Sequence, residues 1–384
     1  MNLRSRRVRV SVVLGLALLA ALAWLRWLRP IDAGSGPVPS QQDDGWRLCR
    51  PATQGFDEAA LLAATQRLVD RPLDVHAVVI ERHRCLVAEM YRGGLDRSVY
   101  SLVSTRQSFG PATLHDVRSV GKSVTGLLYG IALAEGRVPA TDQPVALAFP
   151  RLAGRAAKNA RVIRIRDLLD MGSGLAWTEG RPGLNDELKL FWKRDRPAFV
   201  LDRPMRHPPG TVFNYNGGGT ALLAAIITDG TGEPLDRFAQ ARLFEPMGIR
   251  SWEWVRDVHG RPMAFNGLRL RPRDLLKVGR LVLDDGRWDG RQLVPADWVR
   301  DASAPGLPTN IDGVRYRGQW WTGTARWKGR AVAWQAAFGN GGQRLFVVHD
   351  LDLAIATTAG AYDQLPTAIA VNRFVQDVVE TVER

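Results

Sequence analysis

The chain has 384 residues, of which 45% are hydrophobic, so it can bury a large core and the composition excludes a disordered chain. Its formal net charge is +13, but six arginines and no acidic residue lie in the first 30 residues, and the rest has 46 basic against 39 acidic residues, a net +7. Those remaining charges are interspersed, and the sequence has no zinc-finger, RNA-recognition or helix-turn-helix pattern. We therefore expect no nucleic-acid partner.

Residues 1–30 predict a membrane anchor or a signal segment. Four arginines precede an apolar run from Val10 to Leu25 that only Ser11 interrupts, and Arg26 to Pro30 follow in place of a small-residue cleavage site. The run is near the lower limit of about 17 residues for crossing hydrocarbon. We expect an uncleaved inner-membrane anchor, a cytoplasmic N-terminus and a periplasmic catalytic domain. Secretion after signal cleavage is the alternative.

Residues 31–45 are rich in Gly, Pro, Ser and Gln and predict a flexible linker before a folded domain at residues 46–384. Cys49 and Cys85 are the only cysteines. In an oxidising compartment they can form a disulfide, but two separate buried thiols fit the sequence equally well.

The first part of the domain alternates between helical and strand patterns. Helical spacing from Asp57 to Val69 precedes two apolar runs, His76 to Glu81 and Cys85 to Tyr91, which predict a hairpin. A mostly buried helix is predicted from Ser119 to Glu135, and Gly136 is a plausible stop. The domain therefore begins with both helix and sheet.

Residues from about 140 to 305 predict a helical region that no strong strand interrupts. Strand patterns return near the C-terminus and are followed by an amphipathic helix: Tyr316 to Thr322, Arg344 to His349, Leu353 to Thr358, then Thr367 to Val382. We expect an α+β fold, an α/β sandwich, in which both chain ends build an antiparallel sheet flanked by helices. A site between the sheet and the helical region follows from this arrangement.

Ser119 and Lys122 form the most informative chemical pair. A nucleophilic serine needs a base within hydrogen-bond reach, and two residues three positions apart lie on one face of a helix. Burial can lower the pKa of a lysine until its neutral amine accepts the serine proton, which arginine cannot do. Since the chain has only six lysines against 46 arginines, Lys122 favours catalysis over a structural cation. A chance Ser-x-x-Lys match is the alternative.

Two further segments extend this pair. Tyr215 stands in the glycine-rich stretch Pro209 to Gly218, and Gly339-Asn340-Gly341-Gly342-Gln343 precedes a strand pattern. In order and separation the three segments resemble the Ser-x-x-Lys helix, Tyr-x-Asn loop and Lys-Thr-Gly strand of the serine beta-lactamase and penicillin-binding-protein superfamily. The resemblance covers roughly residues 70–375 and is closest to class C beta-lactamase-like esterases and 6-aminohexanoate-dimer hydrolase-like enzymes.

The resemblance implies the beta-lactamase/transpeptidase-like fold and a role for each matching residue. Ser119 would form an acyl-enzyme, Lys122 would be its base, and Tyr215 would relay protons. The backbone N–H groups of Ser119 and Gly342 would form the oxyanion hole, with Gly339-Asn340-Gly341 on the third-motif strand. Four residues are the substrate-binding candidates, although core packing is an alternative for the tryptophans: Asn340, Gly341, Trp177 and Trp321.

Two departures from the family pattern bear on the substrate. Gly217 replaces the asparagine of the second motif, and Gly339 replaces the cation that begins the third. Without that cation to hold a substrate carboxylate, we expect a small-molecule ester or small amide substrate. A beta-lactamase or D,D-peptidase acting on beta-lactams or cell-wall peptides is the alternative if an arginine elsewhere supplies the charge. A catalytically silent binding protein of the same fold is a third hypothesis.

We expect no metal and no cofactor. The histidines and cysteines have no metal-ligand spacing, and Asp116 stands where a phosphate-binding loop ending in Gly121-Lys122-Ser123 would need glycine. The sequence also implies no obligate protein partner.

Overall fold

The computed structural model describes residues 36–101, 103–179 and 185–383. The expected anchor or signal segment at residues 1–30, and residues 31–35 of the expected linker, lie outside the described residues. Among the helices of the described ranges, none is long and apolar enough to span a bilayer.

The strands of the described residues form one large sheet and three small ones. In chain order they are β1 Arg47–Leu48, β2 Val75–Arg82, β3 Cys85–Tyr91, β4 Gly94–Asp96, β5 Thr105–Gln107, β6 His115–Asp116, β7 Trp252–Trp254, β8 Leu268–Leu270, β9 Arg287–Trp288, β10 Arg291–Gln292, β11 Leu307–Pro308, β12 Arg315–Arg317, β13 Trp320–Trp327, β14 Arg330–Gly339, β15 Gln343–Val348 and β16 Leu353–Ala359.

The α-helices of the described residues vary from one turn to four. They are α1 Glu58–Asp70, α2 Val120–Ala134, α3 Gly154–Val162, α4 Ile165–Leu169, α5 Asp186–Lys189, α6 Arg196–Leu201, α7 Gly217–Thr231, α8 Leu235–Ala239, α9 Pro272–Leu283, α10 Ala296–Ser303 and α11 Leu365–Glu380. Short 3₁₀ turns span Pro51–Gln54, Val145–Leu147 and His349–Leu351, and Gln240–Phe244 is a π-helical turn.

The large sheet has the strand order β1-β3-β2-β16-β15-β14-β13-β12-β11. The N-terminal hairpin β2–β3 pairs with the C-terminal strand β16, so both ends of the chain build the sheet, as the sequence predicted. All neighbouring pairs are antiparallel except β1 and β3, which run parallel, so the sheet is mixed and not wholly antiparallel. The α+β class is confirmed.

Helices cover both faces of this sheet and enclose two cores. On one face, α1 and α11 pack through residues such as Leu61 and Val375 against the sheet. On the other face, α9 lies on β15, β16 and β2, and α2 packs against α7 through residues such as Leu127 and Leu222. The helical region therefore meets the sheet along α2, where the candidate nucleophile lies.

The helical region contains a small sheet that the sequence did not predict. β6, which ends three residues before Ser119, pairs with β8, and β8 pairs with β7. These strands have only two or three residues each, so their pattern along the chain is too short to recognise. The expectation that no strand interrupts this region is therefore wrong. The small sheet ties the segment before Ser119 to the helical region.

The third-motif segment also differs from the expectation. β14 ends at Gly339, and Asn340 to Gly342 form the turn into β15, so Gly339 lies on a strand as predicted but Asn340 and Gly341 do not. The end of β14 reads Ala336-Ala337-Phe338-Gly339, whose alanines and glycine have weak strand preference. Pairing with β13 and β15 makes this segment a strand all the same.

Part of the expected linker is bound to the domain. The backbone N–H of Ser40 donates to Glu89 Oε1 at 2.7 Å, and Arg273 donates to the Ser40 carbonyl at 2.6 Å and to Asp44 Oδ2 at 3.0 Å. Arg273 also bonds both carboxylate oxygens of the buried Glu89. These contacts hold the chain from about residue 40 onward against β3 and α9.

Cys49 and Cys85 are joined by a disulfide that links the segment after β1 to the start of β3. The sequence left open a disulfide or two separate thiols, and the structure contains the disulfide.

Candidate active site

Ser119 occupies the position immediately before the first residue of α2. Asp116 holds the preceding turn, because its carboxylate oxygens accept hydrogen bonds from the backbone N–H groups of Arg118 at 3.0 Å and Val99 at 2.7 Å. Arg118 has a φ of 52°, in the left-handed region that costs energy for a residue with a side chain. The turn therefore places Ser119 at the helix end at the cost of a strained neighbour.

Lys122 lies one turn further along α2, and its side chain is 1% exposed. Its Nζ donates hydrogen bonds to Ser119 Oγ at 3.0 Å, to Glu187 Oε2 at 3.1 Å and to the backbone carbonyl of Phe265 at 2.9 Å. The helical spacing brings Ser119 and Lys122 together, whereas the other two acceptors come from distant parts of the chain.

The pKa of Lys122 shifts in the direction opposite to the one expected from burial. Burial acts to lower this pKa, but the charge of Glu187, followed by Tyr215 and Glu179, outweighs burial and raises it. Lys122 is therefore an ammonium ion in the resting site. The expectation of a neutral amine is wrong, because it was based on burial alone and did not include the carboxyl groups that the fold brings to Lys122.

Glu187 is the site residue that the sequence analysis missed. It lies in the single-turn helix α5, where the Asn185 side chain accepts a hydrogen bond from the Leu188 N–H and caps the turn. The side-chain nitrogen of Asn266 donates to Glu187 Oε1 at 2.7 Å and to the Tyr100 hydroxyl at 2.9 Å. Asn266 thus holds one carboxylate oxygen and leaves Oε2 for Lys122. No motif marks this glutamate in the sequence.

Glu179 is a second carboxyl group that the sequence analysis missed. Its Oε1 accepts hydrogen bonds from the Trp177 indole at 2.7 Å and from the backbone N–H of Gly217. Burial, and then the negative charge of Glu187, raise the pKa of Glu179 to about 8. At neutral pH this carboxyl group is therefore mostly protonated, while Glu187 pairs with Lys122 as a carboxylate.

Gly217 has no room for the asparagine that the family motif carries there. A Cβ atom at this position would lie 2.3 Å from Glu187 Oε2 and 3.0 Å from Glu179 Oε1. The two carboxyl groups therefore occupy the space in which an asparagine side chain would stand. A side chain at position 217 would therefore require the two carboxyl groups to move.

Tyr215 lies on the other side of Lys122. Its ring centre is 4.8 Å from Lys122 Nζ, and it shares a hydrogen bond with Ser119. Burial raises the pKa of Tyr215, although Lys122 and the Ser119 hydrogen bond act against this rise. The next residue, Asn216, caps α7 by accepting a hydrogen bond from the Gly219 N–H at 3.1 Å. The three residues predicted to be catalytic are thus in mutual contact.

The tryptophans named as pocket candidates have different surroundings. Trp321 stacks between Tyr215 and Phe338, with ring centres 5.7 and 5.3 Å away, so it contacts the site. Trp177 packs in the main core and orients Glu179 through its indole N–H. Two further tryptophans, Trp320 and Trp192, are a buried core residue and a residue that is 65% exposed, respectively.

The turn after β14 approaches the nucleophile at Gly339. A Cβ atom there would lie 2.4 Å from the carbonyl oxygen of Val117 and 3.1 Å from the Arg118 Cβ, so only glycine fits. Gly342 instead lies against α11, since a Cβ atom would meet the Thr367 side chain at 3.0 Å. The end of β14, and not Gly342, is the part of this segment packed against the turn that carries Ser119.

The other two candidates on this turn are already engaged. The Asn340 side chain donates to Asp363 Oδ1 at 2.7 Å and accepts from the Asp363 N–H at 2.8 Å. Gly341 packs beside the Tyr362 ring, where a Cβ atom would lie 2.8 Å from the ring. The Asn340 side chain is therefore held by Asp363.

Comparisons with known proteins agree with this geometry. A family model described as Beta-lactamase matches residues 74–380. The 6-aminohexanoate-dimer hydrolase of Paenarthrobacter ureafaciens is 28% identical over 286 residues, which cover 68% of this chain and 67% of that protein. Esterase EstB of Burkholderia gladioli is 26% identical over 221 residues, which cover 53% of this chain and 54% of that protein. The chain thus spans between half and two thirds of these relatives.

A solved structure extends the likeness over more of the chain. The penicillin-binding protein homolog from Caulobacter crescentus has a TM-score of 0.63 and 15% sequence identity, and the match covers 91% of this chain and 98% of that one. At this identity the likeness shows the fold alone.

Replacing Glu179 by Gln should reduce the pH dependence of stability. The pKa of Glu179 rises from an ordinary 4.5 to about 8 on folding. Its stabilising contribution is therefore complete below about pH 4.5 and is lost as the pH rises through about 8. Urea unfolding of the parent should show a larger loss between about pH 5 and pH 9 than the variant shows.

The exposed Glu245→Gln variant is the matched control and should behave like the parent. Equal pH dependence in the parent and in Glu179→Gln would show that Glu179 carries no raised pKa.

Proposed function

Because the chain belongs to the beta-lactamase family of serine hydrolases, we propose that it cleaves a carboxylic ester or a small amide through an acyl-enzyme on Ser119. The observation that carries this proposal is the 3.0 Å hydrogen bond between Lys122 Nζ and Ser119 Oγ, with Tyr215 bonded to the same serine. A serine hydroxyl becomes a useful nucleophile only when a base is this close. The contact supplies that base.

In acylation, Ser119 Oγ attacks the carbonyl carbon of the substrate and gives its proton to Lys122. Since the resting Lys122 is an ammonium ion, it must first lose a proton within the site. Tyr215, which contacts both residues, then passes a proton to the leaving alcohol or amine. Deacylation repeats these steps with water as the nucleophile and restores the free serine.

We propose that two backbone N–H groups stabilise the oxyanion. Neither Ser119 nor Asn340 donates its backbone N–H to another group within the described part of the chain. Asn340 follows Gly339, whose Cα packs against the turn before Ser119. In this proposal the turn that follows Gly339 supplies the second donor, either Asn340 or the Gly342 that the family resemblance implies. Each such donor contributes about 3 kcal/mol to the transition state.

The surroundings of the site favour a substrate without a carboxylate near the third motif. Gly339 stands where the family cation would stand, and Phe338 before it stacks on Trp321, so the end of β14 carries no cation. The nearby Arg344 is buried, and its guanidinium bonds the carbonyls of Gly339 and Gln343. Its hydrogen-bonding capacity is largely used inside the protein, so it does not replace the missing anchor. The names of the two relatives, an amide hydrolase and an esterase, agree with this substrate class.

We also propose that the catalytic domain works outside the cytoplasm, tethered through the arginine-flanked apolar segment of residues 1–30. The disulfide between Cys49 and Cys85 supports this placement, because such bonds persist mainly in oxidising compartments.

Loss of Ser119 or Lys122 should abolish ester hydrolysis. We expect Ser119→Ala and Lys122→Ala to lower the hydrolysis of p-nitrophenyl acetate and butyrate by about 1,000-fold, because the nucleophile or its base is removed. Intact mass should show a fluorophosphonate adduct only on proteins that retain Ser119.

Ser123→Ala is the matched control for this test. Ser123 lies on the same helix and donates its hydroxyl to the Gln319 carbonyl, away from Lys122. It should keep both the activity and the adduct. If the folded parent forms no adduct and hydrolyses the esters no faster than Ser119→Ala, the hydrolase hypothesis is wrong. That result would favour the binding-protein hypothesis.

Labelling by beta-lactams separates the two substrate classes. Because the third motif carries no cation for a carboxylate, a fluorescent penicillin should label Ser119 at least about 100-fold more slowly than the fluorophosphonate does. Rapid penicillin labelling that Ser119→Ala abolishes would instead support a beta-lactamase or D,D-peptidase.

The proposed location is tested by fusing alkaline phosphatase, which is active only outside the cytoplasm, after residue 384. The full-length fusion should be active and sediment with membranes, whereas a fusion that lacks residues 1–30 should be inactive. Equal activity of the two fusions would exclude export through this segment.

A further inference from the structure

We propose that Glu187 is the group that takes the proton from Lys122 before Lys122 accepts the proton of Ser119. This inference rests on the proposed function and adds a residue that the sequence motifs do not contain. Glu187 acts through Lys122 and does not contact the substrate, so its role is to prepare the base.

The hydrogen bonds of Lys122 leave one candidate for this transfer. An ammonium group has three N–H donors, and those of Lys122 are directed at Ser119 Oγ, Glu187 Oε2 and the carbonyl of Phe265. A backbone carbonyl does not accept a proton at neutral pH, and Ser119 is the proton source. The carboxylate of Glu187, at 3.1 Å, is therefore the one partner in direct contact that can hold the proton.

The structure holds Glu187 in the orientation that this transfer needs. Asn266 Nδ2 bonds Oε1 at 2.7 Å, which directs the other oxygen of the carboxylate toward Lys122. The same nitrogen bonds the Tyr100 hydroxyl at 2.9 Å, so Asn266 is itself held. The Glu187 side chain is only 14% exposed. Because water screens the Lys122–Glu187 ion pair only partly, this pair is stronger than one on the surface.

Besides Asn266, the titratable groups near Glu187 come from four parts of the chain. Lys122 approaches from α2, and Tyr215 and the N-terminus of α7 approach from a second side. Tyr100 and Glu179 complete the surroundings, and Glu179 is the one other carboxyl group near Lys122 among the described residues.

Glu179 is poorly suited to be the acceptor. Burial raises its pKa to about 8, so it already carries a proton at neutral pH. Its Oε1 also accepts from the Trp177 indole and the Gly217 N–H, and it makes no hydrogen bond to Lys122 within the described part of the chain. The pair of glutamates therefore provides a single carboxylate, and that carboxylate is bonded to the lysine.

The proton balance closes over one acylation. The resting site contains Ser119 with its proton, the Lys122 ammonium and the Glu187 carboxylate. Transfer from Lys122 to Glu187 gives a neutral amine and a carboxylic acid. The O–H bond of Ser119 then breaks as its oxygen bonds to the carbonyl carbon and its proton moves to Lys122. When the leaving group departs, Lys122 supplies its proton through Tyr215 and regains one from Glu187.

Gly217 makes this arrangement sterically possible. A side chain there would overlap Glu187 Oε2, because a Cβ atom would lie 2.3 Å away. Because Gly217 has no side chain, the Glu187 carboxylate has room to reach Lys122.

The test is the pH dependence of acylation in Glu187→Gln, measured as the p-nitrophenolate burst from p-nitrophenyl acetate. Without the carboxylate, Lys122 must lose its proton to solvent. We expect acylation to be about 100-fold slower at neutral pH and to recover as the pH rises, so that its ascending limb moves to higher pH. Glu187→Asp retains a carboxylate, so its acylation rate should rise at the same pH as in the parent, although the rate itself is lower.

Two results would overturn the role of Glu187. A uniform loss in Glu187→Gln, with the limb unmoved, would mean that the residue only supports the structure. Faster acylation than the parent at neutral pH would mean that Glu187 merely keeps Lys122 protonated. If Glu187→Gln does not fold, Glu187→Asp decides the question, since a shifted limb in a variant that retains the carboxylate contradicts the transfer.

The proposed function and this inference fail in different ways. A parent protein without Ser119-dependent hydrolysis would overturn both. Hydrolysis that depends on Ser119, combined with either contrary result above, would overturn the role of Glu187 alone. The exposed Glu245→Gln variant should retain the parent profile.

Discussion

The site depends on one constraint, which is that the buried ammonium of Lys122 must be satisfied. A charge removed from water is stable only when it is paired and hydrogen bonded. The acceptors of Lys122 come from the start of α2, from α5 and from Phe265 in the loop before β8. The contacts that neutralise this charge therefore also bring together the groups that the chemistry needs. Stability and catalytic geometry have the same origin here.

The large sheet contributes by bringing β14 to the turn before Ser119. Gly339 permits this approach because it has no side chain to collide with the Val117 carbonyl. On the opposite side, β6 and β8 hold the same turn to the helical region, and Asp116 closes it through two backbone hydrogen bonds. Ser119 is thus fixed between two bodies of secondary structure, and the strained φ of Arg118 is maintained by them.

The carboxyl groups beside Lys122 show how a familiar site can change its electrostatics without changing its nucleophile. Glycine at position 217 leaves a space that two glutamates from another segment fill. The pKa of Lys122 rises although the residue is buried, because Glu187, Tyr215 and Glu179 together outweigh desolvation. If Lys122 is the base, as we propose, its proton needs an acceptor within the site, and the carboxylate of Glu187 is the group bonded to it.

The sequence by itself determined the features that depend on residues close together along the chain. The i, i+3 spacing was enough to place Lys122 beside Ser119, since the helix sets that distance, and strand periodicity with the order of three motifs predicted the fold class and Tyr215. It missed β7, β8 and β14, whose short or alanine-rich segments become strands only through their partners. Only the tertiary structure decided the charge of Lys122. Glu187 is 65 positions away from Lys122 along the chain, and Phe265 is 143. Electrostatic interactions depend on the distance between groups in the folded protein. A pattern of residues that are neighbours in the sequence does not give that distance.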